Sequence, residues 1–145
     1  MTPQQITLVR SSFKLFSTLQ PVTSAAGAIF YAKLFANDPS LRHMFKGDMA
    51  QQGERLMAMI GNGVAMLDRA DALLPVLRQL GARHVRYGVR DEHYDIVGAV
   101  LLETLEQALA EDFSAEVRKA WIAAYGLISA TMKEGAMNAW EEALA

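Results

Sequence analysis

The chain has no cysteine in its 145 residues. That absence excludes disulfides, thiolate zinc sites, cysteine-ligated iron–sulfur clusters and thiol catalysis, and it suits a reducing compartment. Any metal must rely on histidine, carboxylate or methionine. Also missing is an apolar run near the roughly 18 residues that span a bilayer, and the first residues lack the basic segment and apolar core of a leader. The expectation is a cytoplasmic protein with no membrane span. Charge of one sign is lacking too: 14 Lys and Arg stand against 16 Asp and Glu, for a net of −2. No field of that kind grips nucleic acid, so nucleic acid is not expected as a partner. No strand alternation, internal repeat or low-complexity linker interrupts the chain.

What the sequence has is helical periodicity. With 52% hydrophobic residues, it suits one domain over residues 1–145 that buries about two-thirds of its unfolded surface. Thr2 to Gln5 has the form of a capping box, and Ile6, Val9, Phe13 and Phe16 make one helical face that Pro21 ends. A second helix spans Val22 to Ala36. Asp38-Pro39 opens a short one that reaches about Phe45. After the loop Lys46-Gly47-Asp48, a stripe of Met49, Gly53, Leu56, Ile60, Val64 and Leu67 marks the next helix. Asp71 to Tyr87 is helical with Gly88 at its end. Asp91 is read as the cap of a helix carrying Tyr94, Val97, Leu101, Leu105 and Ala108. Ser114 caps the last, through Val117, Trp121, Tyr125, Ile128 and Met132. The fold class is all-α, with about seven to eight helices.

His43, His84 and His93 are the only histidines. His84 and His93 are nine apart, not the three or four that places two ligands on one helix face, so zinc is disfavoured. His84 has the most informative setting. Leu80, one turn earlier, shares its face, so the imidazole emerges from apolar surface. Arg83 and Arg86 flank it as cations suited to carboxylates. An apolar macrocycle with an imidazole-binding iron and two propionates has this polarity pattern. The plain alternative for any such histidine is a surface or satisfied core residue. No G-x-S-x-G nucleophile occurs, and Gly61-Asn62-Gly63 lies inside a predicted helix, where it cannot cradle a pyrophosphate.

The ordered set Phe30-Tyr31-Ala32-Lys33-Leu34-Phe35, Pro39, Phe45, Arg83-His84-Val85-Arg86-Tyr87-Gly88-Val89 and Glu92-His93-Tyr94-Asp95-Ile96-Val97-Gly98 resembles single-domain bacterial globins and the haem domain of flavohaemoglobins. Ala120-Trp121 and Ala124-Tyr125-Gly126 extend the likeness nearly end to end. The resemblance implies a globin fold around one haem b, with His84 as proximal iron ligand, Phe45 wedging the haem and Tyr31 as distal tyrosine. Leu80, Arg83, Tyr87, Val89, Tyr94 and Val97 complete the implied cofactor site. Aligning Gln52 to the distal position puts Gly53 beside it and predicts a contact with Gly27, one turn before Tyr31. Leu56 then lies over the iron, whereas Gln51 or Arg55 in the distal role breaks this agreement. An exposed Gln52 and an ordinary core Tyr31 are the bland alternatives.

Tyr94 matches the family's tyrosine that helps orient the proximal histidine. Glu134 falls about two residues short of its glutamate partner, and two residues turn a helix by roughly 200°. Weaker electron donation to the iron is therefore expected, which favours ligand binding over oxygen cleavage. The implied function is reversible binding of oxygen and nitric oxide, serving oxygen scavenging, or nitric oxide detoxification with an external reductase. The alternative is a haem-based gas sensor or a partner-binding module on the same fold.

Overall fold

The computed structural model describes residues 1–19, 22–45 and 47–144, and side chains at all of these except 22–26 and 140–144. Its α-helices are α1 (Pro3–Thr18), α2 (Val22–Asn37), α3 (Met49–Ala65), α4 (Ala70–Arg86), α5 (Asp91–Leu109) and α6 (Ala115–Leu144). Short 3-10 turns cover Pro39–Met44 and Ala110–Asp112, and there is no strand among the described residues. The all-α expectation holds.

Local chemistry explains most boundaries. Gln5 N–H donates to Thr2 Oγ1 at 3.1 Å while Thr2 N–H donates to Gln5 Oε1 at 3.0 Å, which is the expected capping box. Asp38, Asp48 and Ser114 each accept a backbone N–H at the start of the following helix. Gly88 takes φ +83° directly after α4, a conformation open to glycine at little cost. The expected break at Pro21 and the loop residue Lys46 lie outside the described residues.

Two expectations need correcting. Asp91 is not the cap of α5: Arg90 occupies that position, and its backbone N–H donates to His93 Nδ1 at 2.9 Å. Asp91 instead sits in the first turn, where its charge suits the helix dipole. In addition, α6 continues twelve residues past Met132 to Leu144, through Gly135.

That glycine has a packing reason. A Cβ at Gly135 would lie 2.0 Å from the backbone oxygen of Arg78, and one at Gly81 would lie 1.9 Å from that of Met132. Helices α4 and α6 therefore touch backbone to backbone at two points. The expected contact of α2 with α3 is of the same kind, with a Cβ at Gly27 falling 2.8 Å from Gly53 Cα.

The core fills the space these crossings leave. Val9, Phe16, Phe30, Leu34, Leu73, Val100 and Leu105 are almost wholly buried, each contributing about 1.5–3 kcal/mol of transfer free energy. Helix α1 is keyed to α6 by the buried Trp121 Nε1–H, which donates to Ser12 Oγ at 2.8 Å. Ser12 in turn donates to Leu8 O, so neither polar group is stranded.

Candidate functional site

His84 lies in the last turn of α4 and is half-buried. Its Nδ1 is 2.7 Å from Leu80 O. A carbonyl can only accept, so Nδ1 carries the proton and Nε2 presents a lone pair. Burial, and secondarily the charge of Arg83, push the imidazole below its ordinary pKa against the opposing pull of the Leu80 bond. The ring is thus a neutral base of fixed tautomer, as a metal-ligating histidine must be. Tyr87 meets it edge-on with ring centroids 5.5 Å apart.

The other histidines are placed differently. His93 is occupied as the partner of Arg90 N–H, and His43 is exposed in the turn after α2.

A second cluster joins α2, the 3-10 turn and α3. Tyr31 is 5% exposed and its hydroxyl donates to the backbone oxygen of Gln52 at 3.4 Å. Its ring meets Phe45 at 5.1 Å and Phe35 at 6.0 Å. Burial pushes the phenol up to about 12, so it stays a proton donor throughout the neutral range. Gln52 is half-buried, and Leu56 lies one turn further along α3. The Gly27–Gly53 crossing is what brings these helices close enough for Tyr31 to reach Gln52.

Phe45, Leu56, Leu80, Val89 and Val97 are all half-buried apolar residues packed against the edge of the core. Tyr94 is buried in the first turn of α5, and its hydroxyl has no hydrogen-bond partner among the described residues. Burial first, then Asp91, raises its pKa.

Arg83 and Arg86 are exposed. Arg83 adjoins His84, but Arg86 is two residues further on, roughly 200° around the helix, and does not flank the imidazole. Glu134 is held on the surface by Arg78, whose Nε is 2.9 Å from its Oε1.

Sequence reasoning missed the residues that hold this arrangement still. Tyr125 donates its hydroxyl to Tyr94 O at 2.5 Å, and its ring rests where a Cβ on Gly98 would approach within 2.6 Å. Gly81 and Gly135 seat α4, and hence His84, on α6. Their only signal in the sequence was a glycine inside a helix-length pattern, which does not say what it faces.

The Globin family model matches residues 28–132. The chain belongs to the globin family of all-α proteins. It is 28% identical over 142 residues to a flavohemoprotein of Vibrio cholerae, covering 94% of this chain and 35% of that one. A Bordetella parapertussis flavohemoprotein is 36% identical over 103 residues, covering 69% and 26%. The chain spans about a third or less of the length of these relatives. Among solved structures it matches an engineered carbene transferase from Rhodothermus marinus with a TM-score of 0.85 at 23% identity, covering 100% and 99% of the two chains. A hexacoordinated heme protein from an anhydrobiotic tardigrade gives 0.83 at 18%, covering 94% and 96%. These two likenesses bear on the fold alone.

The residues present fit a haem. A tethered neutral imidazole and half-buried apolar side chains suit such a group, and the Tyr94 hydroxyl is a buried polar atom left without a partner among the described residues.

Proposed function

We propose that this globin holds haem b through His84 Nε2 and binds oxygen, and nitric oxide, beside Tyr31 and Gln52. The observation that carries the reading is the His84–Leu80 bond, which fixes the imidazole tautomer and leaves Nε2 as the only basic nitrogen. Haem, when bound, would supply an iron able to take the His84 imidazole and a diatomic gas as ligands. The rest is work for the protein.

Phe45, Leu56, Leu80, Val89 and Val97 exclude water from the macrocycle, and Arg83 offers a cation to a propionate. Tyr87 restrains the His84 ring from one side, and the buried Tyr94 hydroxyl is free to take a hydrogen bond. On the distal side, the Tyr31 O–H is the proton donor. Its bond to Gln52 O is long at 3.4 Å, so turning the proton toward a ligand sacrifices little. Gln52 supplies a second donor from the same turn of α3. Buried donors favour retention of a ligand that draws negative charge, so oxygen should leave slowly.

Slow release suits scavenging, or conversion of nitric oxide at the oxygen site, with a separate reductase as electron source. The name of the flavohemoprotein relatives, which joins a flavin to a haem protein, supports that direction. The test is stopped-flow oxygen release. Tyr31→Phe should raise the dissociation rate by roughly tenfold or more, because a hydrogen bond to a charged acceptor contributes about 1.5–3 kcal/mol. Gln52→Leu should act in the same direction, and a rate indifferent to both changes removes these side chains from the site.

A further inference from the structure

Charge along the chain is divided unevenly. Residues 72–90 hold four arginines, Arg78, Arg83, Arg86 and Arg90, and no acid, while the remainder holds 10 basic against 16 acidic residues, a net of −6. Asp71 and Asp91 bound the basic stretch at its two ends. Arg78 is paired with Glu134, but Arg83, Arg86 and Arg90 are exposed and form no ion pair among the described residues.

The basic side chains share a surface with apolar ones. Val76, Gln79, Arg83 and Arg86 follow spacings of 3, 4 and 3 along α4, on the side away from the Gly81 contact with α6, and all four are exposed. Val76 is 47% exposed and Tyr87, at the end of the stripe, 59%. Exposed arginine and tyrosine side by side, as at Arg83, Arg86 and Tyr87, are the residue types enriched in binding hot spots. Tyr87 also touches the His84 ring, so this surface is one aromatic ring away from the imidazole.

We propose that the exposed face of α4 from Val76 to Arg86, together with Tyr87 and Arg90 in the turn that leads into α5, is the docking surface for an acidic one-electron-transfer protein. The proposal rests on the haem reading above and specifies the partner of that site. Arg86 and Arg90, which the haem reading leaves unpaired, steer an acidic protein to the face, and Tyr87 gives it an aromatic anchor once charge has brought it there. The exchange would move one electron and no atom: the donor's flavin or iron–sulfur centre would be oxidised by one electron, and the haem iron that His84 would hold would take it up.

The test uses a plant-type [2Fe–2S] ferredoxin as the acidic probe and measures its binding to the full haem-loaded chain by calorimetry. Saturable one-to-one binding at low salt should weaken by at least about tenfold on raising ionic strength from roughly 20 to 200 mM, as expected for a charge-steered interface. Arg86→Glu with Arg90→Glu should abolish it, with the haem absorption spectrum unchanged. Lys14→Glu with Lys119→Glu, which changes net charge equally on α1 and α6, should leave most of it.

Equal losses in the two double variants would mean that net charge, not this face, attracts the probe, and would overturn the proposal. So would absence of binding at low salt. A dimer that dissociates in Arg86→Glu/Arg90→Glu, with no ferredoxin bound, would assign the face to a second copy of the chain and overturn it as well. The haem reading fails separately, by absence of a Soret band in protein that still binds the probe.

Discussion

At the residue scale, one bond decides what His84 can do. Tethering Nδ1 to Leu80 O leaves a single nitrogen for a metal. His84→Ala should therefore give a helical protein without stably coordinated haem, restored by imidazole in solution, as read from the Soret band and far-ultraviolet circular dichroism. An unchanged spectrum would move the ligand to His43 or His93. The lowered pKa carries a pH dependence as well. Unfolding exposes an imidazole that takes up a proton below about pH 6.5, whereas the folded protein resists protonation until a lower pH. The contribution is thus fully present above pH 6.5 and is lost as pH falls through the depressed folded value. Urea midpoints of the haem-free chain should decline between about pH 7 and 5.5, and the decline should be shallower in His84→Leu. Equal slopes in both would assign the acid sensitivity elsewhere.

At the element scale, the position of His84 depends on how closely α4 lies on α6. A methyl group at Gly81 would overlap the carbonyl of Met132, which belongs to a helix backbone and cannot turn aside. Gly81→Ala should cost about 1–3 kcal/mol or more in urea unfolding and hasten haem loss, because α4 must lift from α6. Gly126→Ala is the contrast. Nothing lies within 4 Å of a Cβ there, and the residue is helical and exposed. That substitution should stabilise the protein by about 0.5–1 kcal/mol through helix propensity. Similar melts for the two variants would show that the α4–α6 contact yields more easily than its geometry implies.

At the scale of the whole molecule, the proposed chemistry needs a source of electrons. Converting nitric oxide to nitrate leaves ferric haem, and the G-x-G at Gly61-Asn62-Gly63 lies within α3, where it makes no pyrophosphate loop. The 145-residue chain, once oxygenated, should consume about one equivalent of nitric oxide whatever NADH is supplied, and continue only with an added reductase. Stopped-flow mixing with limiting and then excess nitric oxide measures this. Repeated turnover with NADH alone would reveal an electron path within these 145 residues, and no reaction would favour simple oxygen binding.

The sequence by itself determined the helices, because caps and apolar spacing act within one or two turns. Thr2 with Gln5, Asp38, Asp48, Ser114 and Gly88 each mark a boundary where the chain turns. It also singled out His84 and predicted the Gly27–Gly53 contact, since a register fixed by one resemblance constrains the helix beside it. The tertiary structure alone decided what lies across a gap in sequence. Arg78 taking Glu134, Tyr125 reaching the backbone of Tyr94, and Gly81 and Gly135 meeting the opposing helix are contacts between residues 31 to 57 positions apart. Local periodicity reports which side of a helix is apolar, but not which backbone arrives to cover it.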